Sequence, residues 1–268
     1  MDGGILLPFP NTAGGLVEGS LIRRVKRFSV EFEAGGKRLW AHTNNSGAMR
    51  GLVSPGLPLL LSRAAAPGRK LPYTLELVGL EHTWVGVNTL TPNRLLKAAW
   101  LAGLLPWTAG YTEFRPEARR GLSRIDALLT GPDLPPLWVE CKNVTLVDNR
   151  RVQGGLGTAA FPDAVSERAQ KHLREMLEIV KNGERAAFFY CIQRSDAAWF
   201  APADYIDAKY AELFRQGLAA GVEAYPYRAG ITMEKTVTDD HPGEISGGIG
   251  LGELLPLLPP SVQAPLLS

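Results

Sequence analysis

The stretch from Leu122 to Val147, LSRIDALLTGPDLPPLWVECKNVTLV, limits the possible folds more than any other part of the chain. Two apolar runs flank a turn rich in Gly and Pro, the pattern of a hairpin made of two buried strands. Each run nevertheless carries charge, Asp126 in the first and Glu140 with Lys142 in the second. Burying charge is costly, so these residues need a reason to be there. Strand alternation predicts that Glu140 and Lys142 project together while Cys141 points the other way.

Two carboxylates on adjacent strands can hold a hard divalent cation, Mg²⁺ or Mn²⁺, with the backbone carbonyl of Cys141 as a further oxygen ligand. Lys142, on the same face as Glu140, can orient an attacking water or steady charge developing on a phosphate. An acid followed later by Glu-x-Lys is also common on solvated strand faces. The flanking Ile125, Ala127, Leu128, Leu137, Trp138, Val139 and Val144 argue against a solvated face here.

The rest of the chain falls into three parts. Residues 1–88 read as short strands and turns. LVEGSLIRRVKRFSVEFEA runs into a Gly35-Gly36 hairpin turn, and KRLWAHT, Pro58 to Arg63, Leu71 to Leu80 and Thr83 to Val87 follow. Such a series predicts a small β-barrel. Residues 89–238 read as an α/β domain. A helix opens at Thr91-Pro92, the hairpin follows, and DNRRVQGGLGTAAFPD reads as a polar loop. A helix from about Ala164 to Lys181 carries an apolar stripe at Ala169, Leu173, Met176, Leu177 and Val180. Ala186 to Gln193 reads as a strand covered on both faces, Pro202 to Ala220 as a helix and Val222 to Tyr227 as the last strand. Residues 239–268, punctuated by Pro and Gly, read as an extension packed on the domain or used for contact with another subunit. A homo-oligomer through this extension is therefore an expectation.

Two cysteines in apolar runs suggest buried thiols rather than a disulfide framework. The start, MDGGILLPFP, lacks a signal-peptide pattern, and Leu95 to Trp107 is too short to span a bilayer and contains Lys97. The expectation is a cytoplasmic protein without a membrane partner.

With 29 Lys and Arg against 27 Asp and Glu, net charge alone does not point to nucleic acid. Cations nevertheless cluster locally: Arg24 with Arg23, Lys26 and Arg27, then Arg115, Arg119, Arg120, Arg124, Arg150 and Arg151. Arg24, Lys26, Arg27, Arg124 and Lys171 are candidate DNA-backbone contacts, although solvated strands and loops show the same pattern. Gln170 falls at the edge of the apolar stripe, where it can reach a neighbouring site or simply meet water. Phe28 and Trp40 are candidate base-stacking rings, or core. Gly155-x-Gly157 has the wrong context for a dinucleotide fingerprint, and His42, His82, His172 and His241 show no ligand spacing.

RVKRF (Arg24 to Phe28), HTNNSGAM (His42 to Met49), VNTLTPNRL (Val87 to Leu95), SRIDALL (Ser123 to Leu129), WVECKNVTL (Trp138 to Leu146) and FPDAVSERAQKHLREM (Phe161 to Met176) together resemble the sugar fermentation stimulation protein A family. The resemblance implies an OB-like barrel followed by a PD-(D/E)xK nuclease-like α/β domain with a mixed sheet, α+β overall. It also implies DNA binding and a regulatory role in sugar (maltose) metabolism. Asp126, Glu140 and Lys142 match the nuclease-like core, with Gln170 as the polar helix residue. Two positions depart from the pattern: Ile125 replaces the Pro before the Asp, and the first helix has Ala98 near a position where the family commonly carries Glu. A metal-dependent nuclease and a non-catalytic, sequence-nonspecific DNA-binding regulator both remain open.

Overall fold

The computed structural model describes residues 5–10, 15–64, 68–121, 123–153, 156–237 and 242–259. After β1 (Leu6–Pro8), the first half is made of β2 (Val17–Val25), β3 (Ser29–Ala34), β4 (Lys37–His42), β5 (Pro58–Arg63), β6 (Tyr73–Gly79) and β7 (Trp84–Gly86). Their order is β4-β3-β2-β5-β6-β7, and a parallel β4–β6 pairing closes the first five into a barrel, as expected from the run of short strands. Gly35 and Gly36 form the β3–β4 turn with φ of 56° and 71°, a left-handed conformation that favours glycine. Leu21, Val30, Phe32, Ala41, Leu59, Leu61, Leu75 and Val78 alternate inward and fill the barrel.

The second half contains α1 (Thr91–Leu101), β8 (Glu113–Arg120), β9 (Ser123–Thr130), β10 (Leu137–Val144), β11 (Leu146–Gln153), β12 (Leu156–Phe161) and α2 (Glu167–Lys181). It continues with β13 (Arg185–Ile192), β14 (Ala197–Pro202), α3 (Ala208–Ala220), β15 (Glu223–Val237) and β16 (Pro242–Leu254). A mixed seven-stranded sheet runs β1-β16-β15-β13-β10-β9-β8, and β11-β12-β14 form a smaller sheet beside it. Alternation divides the large sheet into two faces. Val139, Cys141, Ala187, Phe189 and Cys191 pack with α1 and with Leu60 and Leu77 of the barrel. Trp138, Ala186, Phe188, Tyr190 and Ile192 pack under α2 and α3. Leu173, Met176 and Ile179 of α2 are fully buried, each contributing roughly 1.5–3 kcal/mol.

The elements differ from the sequence reading in four places. The polar loop at 148–163 is instead largely the β11–β12 hairpin. The helix expected from Ala164 begins at Glu167, because the Ser166 hydroxyl caps Ala169 N–H at 3.2 Å. The helix expected from Pro202 begins at Ala208, capped by Asp207; Pro202 instead ends β14, and a turn at 203–207 joins the two. The strand read as Val222 to Tyr227 is β15, which starts at Glu223 and continues to Val237.

Of the two expectations for the 239–268 extension, its described residues follow the first, packing on the domain. In its described portion, residues 242–259, Pro242–Leu254 is a strand lying between β15 and β1, with Ile245 and Ile249 buried in the core, and Leu255 and Leu258 beyond it are buried as well. Those residues are therefore occupied within the chain rather than offered to another subunit. Residues 260–268 and the side chains of Arg150 and Arg151 lie outside the described residues. No described helix is long and apolar enough to cross a membrane.

Candidate active site at the β9–β10 fork

The hairpin strands pair only part of the way. Leu137, Trp138 and Val139 face Leu129, Leu128 and Ala127, and the β9–β10 ladder then stops. β10 continues beside β13 as far as Val144 opposite Ile192. Parting two strands would leave a backbone N–H without an acceptor. The Asp126 carboxylate fills that role: its Oδ2 accepts from Cys141 N–H at 2.8 Å. Its Oδ1 accepts from Asn93 Nδ2 of α1 at 2.8 Å.

On the α2 side of the fork, Glu140 is 4% exposed. Its Oε1 accepts from Lys142 Nζ at 2.7 Å and meets His172 Nδ1 of α2. Lys142 Nζ also lies 3.0 Å from His172 Nδ1 and 5.7 Å from the centroid of the Phe188 ring. The ring nitrogen therefore donates to Glu140 or accepts from Lys142, according to its tautomer.

The two carboxyls lean in opposite directions. Burial, then the negative charge of Glu140, raises the Asp126 pKa above its ordinary value, despite the Cys141 and Asn93 hydrogen bonds and the charge of Lys142. Burial also pushes Glu140 upward, but the charge of Lys142 and the contacts from His172 and Lys142 outweigh it and hold the carboxyl at about 2. The fork thus keeps one firmly ionised carboxylate beside a second that its charge repels. A dication relieves that repulsion. Among the described residues no three His, Cys, Asp or Glu side chains are arranged to hold a metal. Two hard oxygen donors plus a carbonyl nevertheless suit Mg²⁺, which takes one or two carboxylates and completes its shell with water and substrate phosphate. The Cys141 thiol lies in the core on the α1 side, and burial pushes its pKa well up.

Of the other expected site residues, Gln170 turns away. Its amide nitrogen donates to Asp207 at 3.0 and 3.1 Å, because that carboxylate, which also accepts from Ser166 N–H and Tyr210 N–H, joins the starts of α2 and α3. Arg24 is also committed structurally. Its guanidinium donates to the carbonyls of Arg27, Asn45 and Gly47. Lys26 and Arg27 are exposed in the β2–β3 turn. Arg124 pairs with Glu117 at 3.0 Å on the exposed rim. Lys171 donates to Ser123 at 3.1 Å and sits 3.3 Å from Glu175. A depression of about 670 Å³ runs along α2 beside the fork, lined by Glu167, Arg168, Gln170, Lys171, His172 and Arg174.

Asn93 and His172 were not expected from the sequence. They lie 33 and 32 residues from the acids they touch (93 to 126, 140 to 172), so no local spacing links them. The one available signal was that His172 flanks the buried stripe of α2, beside Leu173.

Residues 22–87 match the SfsA N-terminal OB domain, and residues 90–235 match the sugar fermentation stimulation protein RE domain. A sugar fermentation stimulation protein homolog of Lawsonia intracellularis is 44% identical over 270 residues, spanning 91% of this chain and 95% of its own. Another, from Syntrophobacter fumaroxidans, is 48% identical over 229 residues, spanning 85% and 84%. The structure of Pyrococcus furiosus SfsA in complex with Ca²⁺ is similar at a TM-score of 0.78 and 25% identity, over 94% of this chain and 99% of that one. By its sequence, over both halves, this chain belongs to the sugar fermentation stimulation protein family.

Proposed function

We propose that the chain binds DNA and hydrolyses its phosphodiester bonds at the β9–β10 fork with the help of a divalent metal. The observation that carries this reading is the pair of repelling carboxylates, Asp126 and Glu140, beside the Lys142 ammonium. Asp126, Glu140 and the Cys141 carbonyl would hold Mg²⁺ or Mn²⁺, and Asn93 fixes the Asp126 carboxylate. Such an ion supplies positive charge to a phosphoryl oxygen. Lys142 donates a hydrogen bond to a second phosphoryl oxygen as charge builds on it. Water attacks phosphorus and the bond to a sugar oxygen breaks; His172 would take the proton the water loses, and the departing oxygen would take one from solvent. The Pyrococcus furiosus relative binds Ca²⁺, an ion that favours the same oxygen donors, which supports the metal assignment. Lys171, with Arg168 and Arg174 on the exposed face of α2, would carry backbone phosphates along the depression.

A second reading has its own support. α1 contains no acidic residue, and no third carboxylate joins the pair among the described residues. In that reading the chain holds DNA without cutting it, as a regulator of sugar (maltose) metabolism in the cytoplasm. The two readings separate on incubating plasmid and oligonucleotides with wild type, Glu140→Ala and Lys142→Ala in Mg²⁺, Mn²⁺ or EDTA. Metal-dependent cleavage lost in both variants supports the nuclease. Salt-sensitive binding without cleavage supports the regulator, and equal nicking by all three proteins removes the fork from the chemistry.

A further inference from the structure

The outer face of the barrel carries a feature that the fork chemistry does not use. Leu39 and Ala41 of β4 turn inward, so Arg38, Trp40 and His42 face out. Phe28, at the start of β3, stacks on His42 with ring centroids 6.1 Å apart and 25° between planes. Phe28 and Trp40 keep 47% and 37% of their surface open, and among the described residues only Tyr205 exposes another large aromatic ring as much. Trp40 and His42, two residues apart on one strand, are separated by roughly 6.6 Å, a spacing that lets successive bases lie on successive rings.

Three further observations bear on the occupant. Lys26 and Arg27 are exposed beside the rings, while Glu31 is paired to Arg23 at 2.6 Å and Glu33 lies across the ladder from Arg38. The rim therefore favours a polyanion. Burial, then the charge of Arg69, lowers the proton affinity of His42 below its ordinary value, against the hydrogen bond its ring donates to the Phe28 carbonyl, so its ring offers a neutral face. The rings are also held in place. Arg24 ties the Arg27 carbonyl in the Phe28 turn to the Asn45 and Gly47 carbonyls, which lowers the ordering cost of binding.

The end of the strip is hydrogen-bonded to the segment that enters α1. Two residues after His42, Asn44 accepts from Thr89 N–H at 2.9 Å and donates to Asn88 Oδ1 at 2.6 Å. Those residues lead into α1, whose Asn93 reaches Asp126. We infer that Phe28, His42 and Trp40 form a stacking site for unpaired bases, so that the DNA presented to the fork carries a single-stranded segment. This inference rests on the DNA reading above and specifies the form of DNA.

The test is anisotropy in EDTA, with the full chain and labelled dT20, a blunt 20-base-pair duplex, and that duplex with a single-stranded overhang. The expected result is at least about tenfold tighter binding to dT20 and to the overhang than to the blunt duplex. Trp40→Ala and Phe28→Ala should each weaken dT20 binding by about 5- to 100-fold and leave blunt-duplex binding within about twofold. Both side chains are exposed, and unchanged melting of the variants checks that they fold. Equal affinity for dT20 and blunt duplex, unaffected by either variant, overturns the stacking site while leaving the DNA reading intact. Binding to no nucleic acid overturns both. Tighter binding of U20 than of dT20 overturns the assignment to DNA.

Discussion

Glu76 in the barrel and Glu140 at the fork are both buried carboxyls on central strands, and their surroundings drive them in opposite directions. Glu76 is 2% exposed and accepts from Ser62 Oγ at 2.6 Å and Asn88 Nδ2 at 2.8 Å. Burial outweighs these two neutral donors and the charge of Arg94, so Glu76 holds its proton to higher pH than an ordinary glutamate. Glu140 is buried to a similar degree, but its partners are Lys142 and His172, and it stays ionised down to about pH 2. The barrel carboxyl is a hydrogen-bonding node that joins β5, β6 and the segment leading to α1. The fork carboxyl is a charge kept where charge is costly, and the chain surrounds it with the cation and ring that chemistry on a phosphate would use.

Removing partners should break this symmetry unequally. Lys142→Met leaves Glu140 buried with His172 alone, and urea unfolding at pH 7 should show a loss of about 3–5 kcal/mol. Ser62→Ala removes a neutral partner from Glu76, and the same measurement should show about 1–2 kcal/mol. Asp126→Asn keeps an acceptor for Cys141 N–H but removes the repulsion with Glu140. Its melting temperature in EDTA should therefore rise by a few degrees, an increase at the expense of the candidate site.

The smallest effect is in pH dependence. Glu76 has a raised folded pKa, so its contribution is fully present below the ordinary value of 4.5 and is lost as pH rises through the folded pKa. Glu76→Gln should gain in melting temperature relative to wild type between pH 5 and pH 8. Glu140 has the opposite sign. Its contribution is present above 4.5 and is lost as pH falls towards about 2, so Glu140→Gln should flatten the acid limb of the stability curve. Parallel pH curves for the two variants would remove the contrast.

The sequence made the hairpin legible because two strands of period 2 around a Gly/Pro turn leave few alternatives. Pro58–Arg63 and the Gly35-Gly36 turn were legible for the same local reasons. The C-terminal strand was not. Its glycines break every apolar pattern, yet a Cβ at Gly248, Gly250 or Gly252 would run into the backbone carbonyls of Leu7, Ile5 or Arg228. Tertiary crowding, invisible locally, demands those residues. β11–β12 was hidden by its polar and glycine-rich composition. At the fork, the shared face of Glu140 and Lys142 followed from strand alternation, whereas Asp126 was set beside them by the family resemblance. Asn93, His172 and the turning of Gln170 to Asp207 depend on how helices far along the chain dock.

Calorimetric titration of Mg²⁺ and Mn²⁺ into wild type, Asp126→Asn and Glu140→Gln tests the fork most directly. One ion bound per chain in wild type, with at least tenfold weaker binding in each variant, is the expected result. Undetectable binding in wild type, or binding that either variant leaves unchanged, would contradict a metal site at the fork.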